Sequence, residues 1–223
     1  MKEAKTGFWI AVLAATLTWG AGPAAAFDPQ KGGGVADLAD RLEVDVRQPP
    51  WNAVVRVQTN LAGRCTGALV APDVVLTAAH CLFNKRTQAM LRAESLHVLV
   101  GYDRGKYAAH LPVRQVALSP VYDGAKPFEF LREDWALLTL ARTAPATIAP
   151  LAVAREPVEP GQAAAFAGFH RDRAHVLLAD QECRIGRPMR TKEGARVMSH
   201  DCAAVQGSSG GPLLVRRGDG WAV

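Results

Sequence analysis

From Trp51 onward the chain alternates short apolar runs with turn residues. Trp51 to Gln58, Cys65 to Val70, Val74 to Ala78 and Leu96 to Gly101 are short apolar runs of strand length. Ala71-Pro72-Asp73 and Gly101-Tyr102-Asp103-Arg104-Gly105 separate or end them with turn chemistry. Trp135 to Leu140 is a further apolar run. After a Pro- and Ala-rich stretch, Ala141 to Gly161, the rhythm resumes with Gln162 to Gly168, His175 to Ala179, Arg196 to His200 and Pro212 to Val215. This spacing predicts an all-β protein of barrel type, with little helix beyond a turn near His80 to Phe83. No internal repeat or low-complexity tract interrupts it.

The first 26 residues stand apart from this pattern. Lys2 and Lys5 precede a short apolar stretch, Phe8 to Trp19, and Ala24-Ala25-Ala26 offers small residues for cleavage. The apolar stretch is too short to span a bilayer comfortably, so residues 1–26 read as a cleaved signal peptide rather than a retained anchor. Phe27 is then the first mature residue, and the protein is expected to be secreted or periplasmic, without stable membrane insertion. Residues 27–50 contain Gly32-Gly33-Gly34 and mixed charges, and read as a flexible leader or pro-segment. Removing Lys2, Lys5 and Glu3 takes one unit from the formal net charge of +5. The balance left is mildly basic and does not call for a nucleic-acid partner. Its densest part, Arg184 to Arg196, reads as a solvated loop, with an anionic surface contact as the alternative. All four cysteines lie beyond the signal, and an oxidising compartment predicts two disulfides.

The candidate chemistry lies in three segments. Gly207-Ser208-Ser209-Gly210-Gly211-Pro212 places a serine among glycines, which let the backbone turn tightly and aim N–H groups at a developing oxyanion. A hydroxyl needs an adjacent base, and Thr77-Ala78-Ala79-His80-Cys81 supplies His80 at the end of an apolar run. A third group must fix the imidazole tautomer, and Asp134, at the edge of the run beginning at Trp135, suits that part. Gly-x-Ser-x-Gly alone also matches the nucleophile elbow of α/β-hydrolases. In that elbow the acid and the histidine come after the serine, whereas the last histidine here, His200, precedes Ser209. His80 next to Cys81 could be half of a metal site, but no second ligand pair appears at metal spacing.

In the order His80, Asp134, Ser209 these segments resemble the trypsin/chymotrypsin-like serine peptidases, closest in pattern to bacterial secreted trypsin-like and glutamyl-endopeptidase-like members. The resemblance covers most of Trp51 to Val223. It implies two antiparallel, six-stranded-type β-barrels: residues 51–141 for the first, 142–161 for the connection and 162–223 for the second. It implies Ser209 as nucleophile, His80 as general base and acid, Asp134 as its orienter, and the backbone N–H groups of Gly207 and Ser209 as oxyanion hole. Polypeptides are the implied substrates, and the chemistry needs no metal or organic cofactor. A bridge tying the histidine segment to the preceding strand implies Cys65–Cys81, which leaves Cys183 for Cys202.

Two departures from the trypsin pattern matter. Trypsin-like zymogens carry an aspartate before the nucleophile to capture a new N-terminus, and Ser208 here cannot form that ion pair. The position of the charged pocket floor holds Ala203, followed by Ala204, an apolar floor with no counter-charge for lysine or arginine; Gln206 joins them in the expected specificity pocket. Asp201 is two residues off register and is given no specificity role. Only Gly210 to Val223 lie beyond the nucleophile, with Asp219-Gly220 reading as a hairpin turn, so the second barrel is expected to be incomplete. A catalytically silent binding protein on the same fold, or a truncated fragment, is the alternative to a peptidase, and an esterase would use the same site.

Overall fold

The computed structural model describes residues 38–223. The expected signal peptide and the first part of the leader lie outside the described residues. Fourteen strands run through this span. In chain order they are β1 (Leu42–Glu43), β2 (Val54–Thr59), β3 (Arg64–Ala71), β4 (Val74–Thr77), β5 (Phe83–Asn84), β6 (Ala89–Met90) and β7 (Leu96–Val100). Next come β8 (Ala109–Leu118), β9 (Ala136–Leu140), β10 (Ala163–Gly168), β11 (Leu178–Arg190), β12 (Arg196–His200), β13 (Leu213–Arg217) and β14 (Gly220–Ala222). Only short 3₁₀ turns interrupt them, and no helix among the described residues is long and apolar enough to cross a membrane.

The first six long strands close into a barrel in the order β2-β3-β4-β9-β8-β7, every neighbour antiparallel. The runs read from sequence as strands become β2, β3, β4, β7 and β9, and Pro72-Asp73 turns between β3 and β4 as expected. β8 escaped the sequence pattern. His110, Arg114 and Gln115 break its apolar run, and only Leu111 and Val113 are fully buried. Its place between β7 and β9 is fixed by non-local pairing rather than by composition.

The second sheet runs β1-β11-β10-β13-β14, with β12 pairing on β11, and curls without closing. β10 (Ala-Ala-Ala-Phe-Ala-Gly) is buried on both faces. Ala165 and Ala167 face the large core shared with the first barrel, built on Val55, Leu69, Leu82, Leu96 and Leu138. Ala164 and Phe166 face a smaller core with Ile185, Val215 and the Cys183–Cys202 bridge. Small side chains on one face therefore let the two halves approach closely. Both expected disulfides form, Cys65–Cys81 and Cys183–Cys202. Closing a loop of the Cys65–Cys81 length contributes about 3 kcal/mol in the chain-entropy picture.

Three expectations are corrected. Arg184 to Arg196 is no loop: it forms the β11–β12 hairpin, because Cys183 and Ile185 face inward and Gly194, at φ +86°, makes the turn. The terminal hairpin turns at Gly218-Asp219, one residue earlier than expected, with Arg217 paired to Gly220. From Leu38 onward the leader is not free. β1 pairs with β11, and the buried Arg41 binds Asp172 at 3.1 and 2.7 Å. Residues 142–161 lack a named strand and lie across both halves, with Leu151 donating to the Leu69 carbonyl and Ala154 to that of Val223.

Candidate active site

His80 lies in the 3₁₀ turn Ala79–Leu82 that ends the β4 segment, and Asp134 caps the short turn Leu131–Glu133 before β9. Because β4 and β9 are neighbours, with Thr77 opposite Ala136, residues 54 positions apart in sequence become adjacent. Asp134 holds His80 at two points. One carboxylate oxygen accepts the His80 backbone N–H at 2.8 Å, and the other meets ring Nδ1 at 2.6 Å. Asp134 is 12% exposed against 39% for His80, so the carboxylate lies behind a ring whose other side faces solvent. The Tyr122 hydroxyl is buried close by; burial first, and then the Asp134 charge, push it well above the usual tyrosine range. Tyr122 thus stays neutral beside the carboxylate.

The glycine-rich segment is fastened to the first barrel through Thr66. Its backbone N–H donates to the Ser209 carbonyl at 2.8 Å. Its hydroxyl donates to the Gly207 carbonyl at 3.1 Å and accepts the Phe169 N–H at 2.9 Å. Its own carbonyl accepts the Thr77 hydroxyl at 2.7 Å. Thr66 is wholly buried, and sequence reasoning missed it because nothing local marks a threonine that bridges two sheets. Gly210, at φ +77°, sits so close to Thr77 Oγ1 and the Thr66 carbonyl that any Cβ would collide with both.

The two serines of the segment differ. Ser208 is 4% exposed and its hydroxyl donates to the Val205 carbonyl at 2.7 Å. Ser209 is half-exposed, and its carbonyl lies 3.7 Å from Sγ of Cys81, the residue next to His80. Among the described residues neither the Gly207 nor the Ser209 backbone N–H has a protein acceptor. The two clusters of ligand-type residues, Cys65-His80-Cys81 and Cys183-Asp201-Cys202, each have both cysteines tied in a disulfide, so neither offers a thiolate.

The residues expected to line the specificity pocket differ in exposure. Ala203 is buried next to Cys202, and Ala204 is half-buried against the small core that holds the Cys183–Cys202 bridge. Gln206 is exposed and turns toward Arg171, whose guanidinium it accepts at 2.9 Å. Behind Ala203 stands a carboxylate the sequence pattern did not single out. Asp180 is buried, and its two oxygens accept the N–H groups of Glu182 at 3.2 Å and Ala203 at 2.9 Å. Its lone pairs thus serve the backbone. Asp201 is exposed and accepts the Arg184 N–H at 2.5 Å.

A trypsin family model matches residues 41–222. The chain belongs to the trypsin family. It is 32% identical to human "Serine protease 56", over 74% of this chain and 30% of that protein. It is 28% identical to "Modular serine protease" of Drosophila melanogaster, over 57% of this chain and 23% of that one. The chain thus spans less than a third of the curated relatives it matches. A solved Glu endopeptidase structure is similar with a TM-score of 0.61 and 16% identity, over 82% of this chain and 80% of that chain. That likeness agrees with the chymotrypsin-like arrangement of closed barrel and curled sheet.

Proposed function

We propose that the protein is an exported serine endopeptidase, with Ser209 as nucleophile, His80 as base and acid, and Asp134 as the group that orients it. The observation that carries this is the grip of Asp134 on His80 Nδ1, at 2.6 Å. An imidazole held with its proton on Nδ1 presents Nε2 as a base. Ser209 Oγ attacks the peptide carbonyl while Nε2 takes the hydroxyl proton. The imidazolium then protonates the departing amine as the C–N bond breaks. Water resolves the acyl-enzyme by the same proton path. The Gly207 and Ser209 N–H groups receive the oxyanion, each such donor contributing about 3–4 kcal/mol in sites of this kind.

Ser208 is a poor candidate because its hydroxyl is committed to Val205. Export is supported by the two disulfides and by the N-terminal residue pattern. The apolar Ala203 and Ala204 favour small or apolar residues on the acyl side of the cleaved bond, and a peptide library in which cleavage after Arg and Lys dominates would overturn that preference.

A fluorophosphonate probe tests the assignment on the mature protein. Labelling should occur on the wild type, vanish in Ser209→Ala and persist in Ser208→Ala. Equal labelling of the wild type and Ser209→Ala would remove Ser209 from the site. No labelling of any form would defeat the peptidase assignment and favour a catalytically silent binding protein on the same fold.

A further inference from the structure

Beside Gly207 lies a cavity of about 390 Å³ whose lining includes neither Ala203 nor Ala204. Its walls include Arg64, from the start of β3, and Arg171, Gln206 and Gly207 itself. Its lining carries no carboxylate. Arg64 is exposed and, among the described residues, has no acidic partner. Arg171 is exposed and, among the described residues, its guanidinium is bonded only to the neutral Gln206 amide.

The surroundings do not cancel this charge. The adjoining hollow contains Arg64, Arg171, Arg173 and Asp172, but both oxygens of Asp172 are taken by Arg41. Arg173 is matched by Glu43 at 3.5 Å. Beneath the cavity, Arg56 is buried, donates to the Ala174 carbonyl at 2.9 Å and lies over the Tyr102 ring, with its Nε unpartnered. Ala174 is shared by both hollows. Arg64 and Arg171 at the wall and Arg56 below therefore leave an uncompensated positive field next to the candidate oxyanion donors.

We propose that this cavity is a subsite for an acidic side chain on the leaving-group side of the substrate, bound by Arg64 and Arg171. It rests on acyl transfer at Ser209. A chain lying across Ser209 sends its acyl-side residue toward Ala203 and Ala204. The leaving amine departs on the side of His80, which protonates it, and Arg64 adjoins Cys65, which is bridged to Cys81 next to His80. The cavity walled by Arg64 and Gly207 but not by Ala203 or Ala204 is therefore placed to receive side chains of the leaving-group segment. Guanidinium groups suit carboxylates because their paired donors match both oxygens.

The test uses the mature protein and peptides with one fixed acyl-side sequence, carrying Glu, Gln or Lys at each of the first two positions after the cleaved bond. At one of them the wild type should favour Glu over Gln by roughly three- to tenfold in kcat/KM, the size expected for partly exposed ion pairs. That ratio should shrink in high salt and fall to about one in the Arg64→Gln/Arg171→Gln double variant. Arg64→Glu should turn the preference toward Lys. Equal use of Glu and Gln, or a Glu preference that survives the double variant, overturns the proposal while leaving peptide hydrolysis intact. A wild type that cleaves none of the peptides and takes no fluorophosphonate instead defeats the peptidase assignment.

Discussion

Arg41 and Asp172 form a two-pronged ion pair in which the arginine is 4% exposed and the aspartate 45%. The pair joins the N-terminal arm to the turn Arg171–Arg173. That turn holds the glycine loop: the Arg171 N–H donates to the Gln206 carbonyl at 2.6 Å, and Nδ1 of the preceding His170 accepts the Val205 N–H at 3.4 Å. Arg41 therefore stands two contacts away from the candidate oxyanion hole. Its guanidinium beside Asp172 holds that carboxyl below its ordinary range.

The two halves of the pair should not be equivalent. Asp172→Ala strands a buried guanidinium and should cost about 1–3 kcal/mol. Arg41→Met removes the charge and keeps much of the packing, so it should cost less. Urea unfolding of both variants checks the order, and a larger loss in Arg41→Met would contradict it.

Asp134→Asn should lower kcat by about 10⁴-fold with little change in thermal stability, because an amide at this place favours the wrong imidazole tautomer. Steady-state kinetics on a peptide substrate measures the first quantity and calorimetry the second. A fall of tenfold or less would mean that Asp134 does not set the tautomer.

Thr66→Val keeps shape but removes the hydroxyl that serves Phe169 and Gly207. One buried N–H loses its acceptor, at about 1–3 kcal/mol. Turnover should fall as well, since the Gly207 peptide loses its tether, and Thr66→Ser should restore both. A Thr66→Ser variant as impaired as Thr66→Val would point to methyl packing instead.

His170 is wholly buried, and burial first, then the Arg41 charge, lowers its pKa to about 4. In the unfolded chain it titrates near 6.5, so between about pH 6.5 and 4 the unfolded state binds the extra proton. Its neutral burial therefore leaves stability unchanged above that window and lowers it as the pH falls through it, by up to roughly 1.4 kcal/mol per pH unit. Urea midpoints at pH 7.5, 6, 5 and 4.5 should fall more steeply for the wild type than for His170→Gln. Parallel slopes would show that His170 does not titrate in this way.

The sequence by itself determined the strand rhythm, the first-barrel strands other than β8, and the chain order of the candidate residues His80, Asp134 and Ser209. These are local properties, since an apolar run bounded by Pro, Gly or Asp carries its own strand and turn preference. Only the tertiary structure decided the features that depend on distant partners. β8 is a strand because β7 and β9 supply its hydrogen bonds, despite its polar residues. The Arg184–Arg196 stretch is a hairpin because Cys183 and Ile185 bury one face of β11, which charge counting does not register. Thr66, Arg41 and Asp180 matter through partners 141, 131 and 23 positions away, and no short window contains both ends of such a bond. The motif already singles out Ser209 over Ser208; what the tertiary structure adds is the chain path that turns the Ser208 hydroxyl inward to Val205 while Ser209 stays half-exposed.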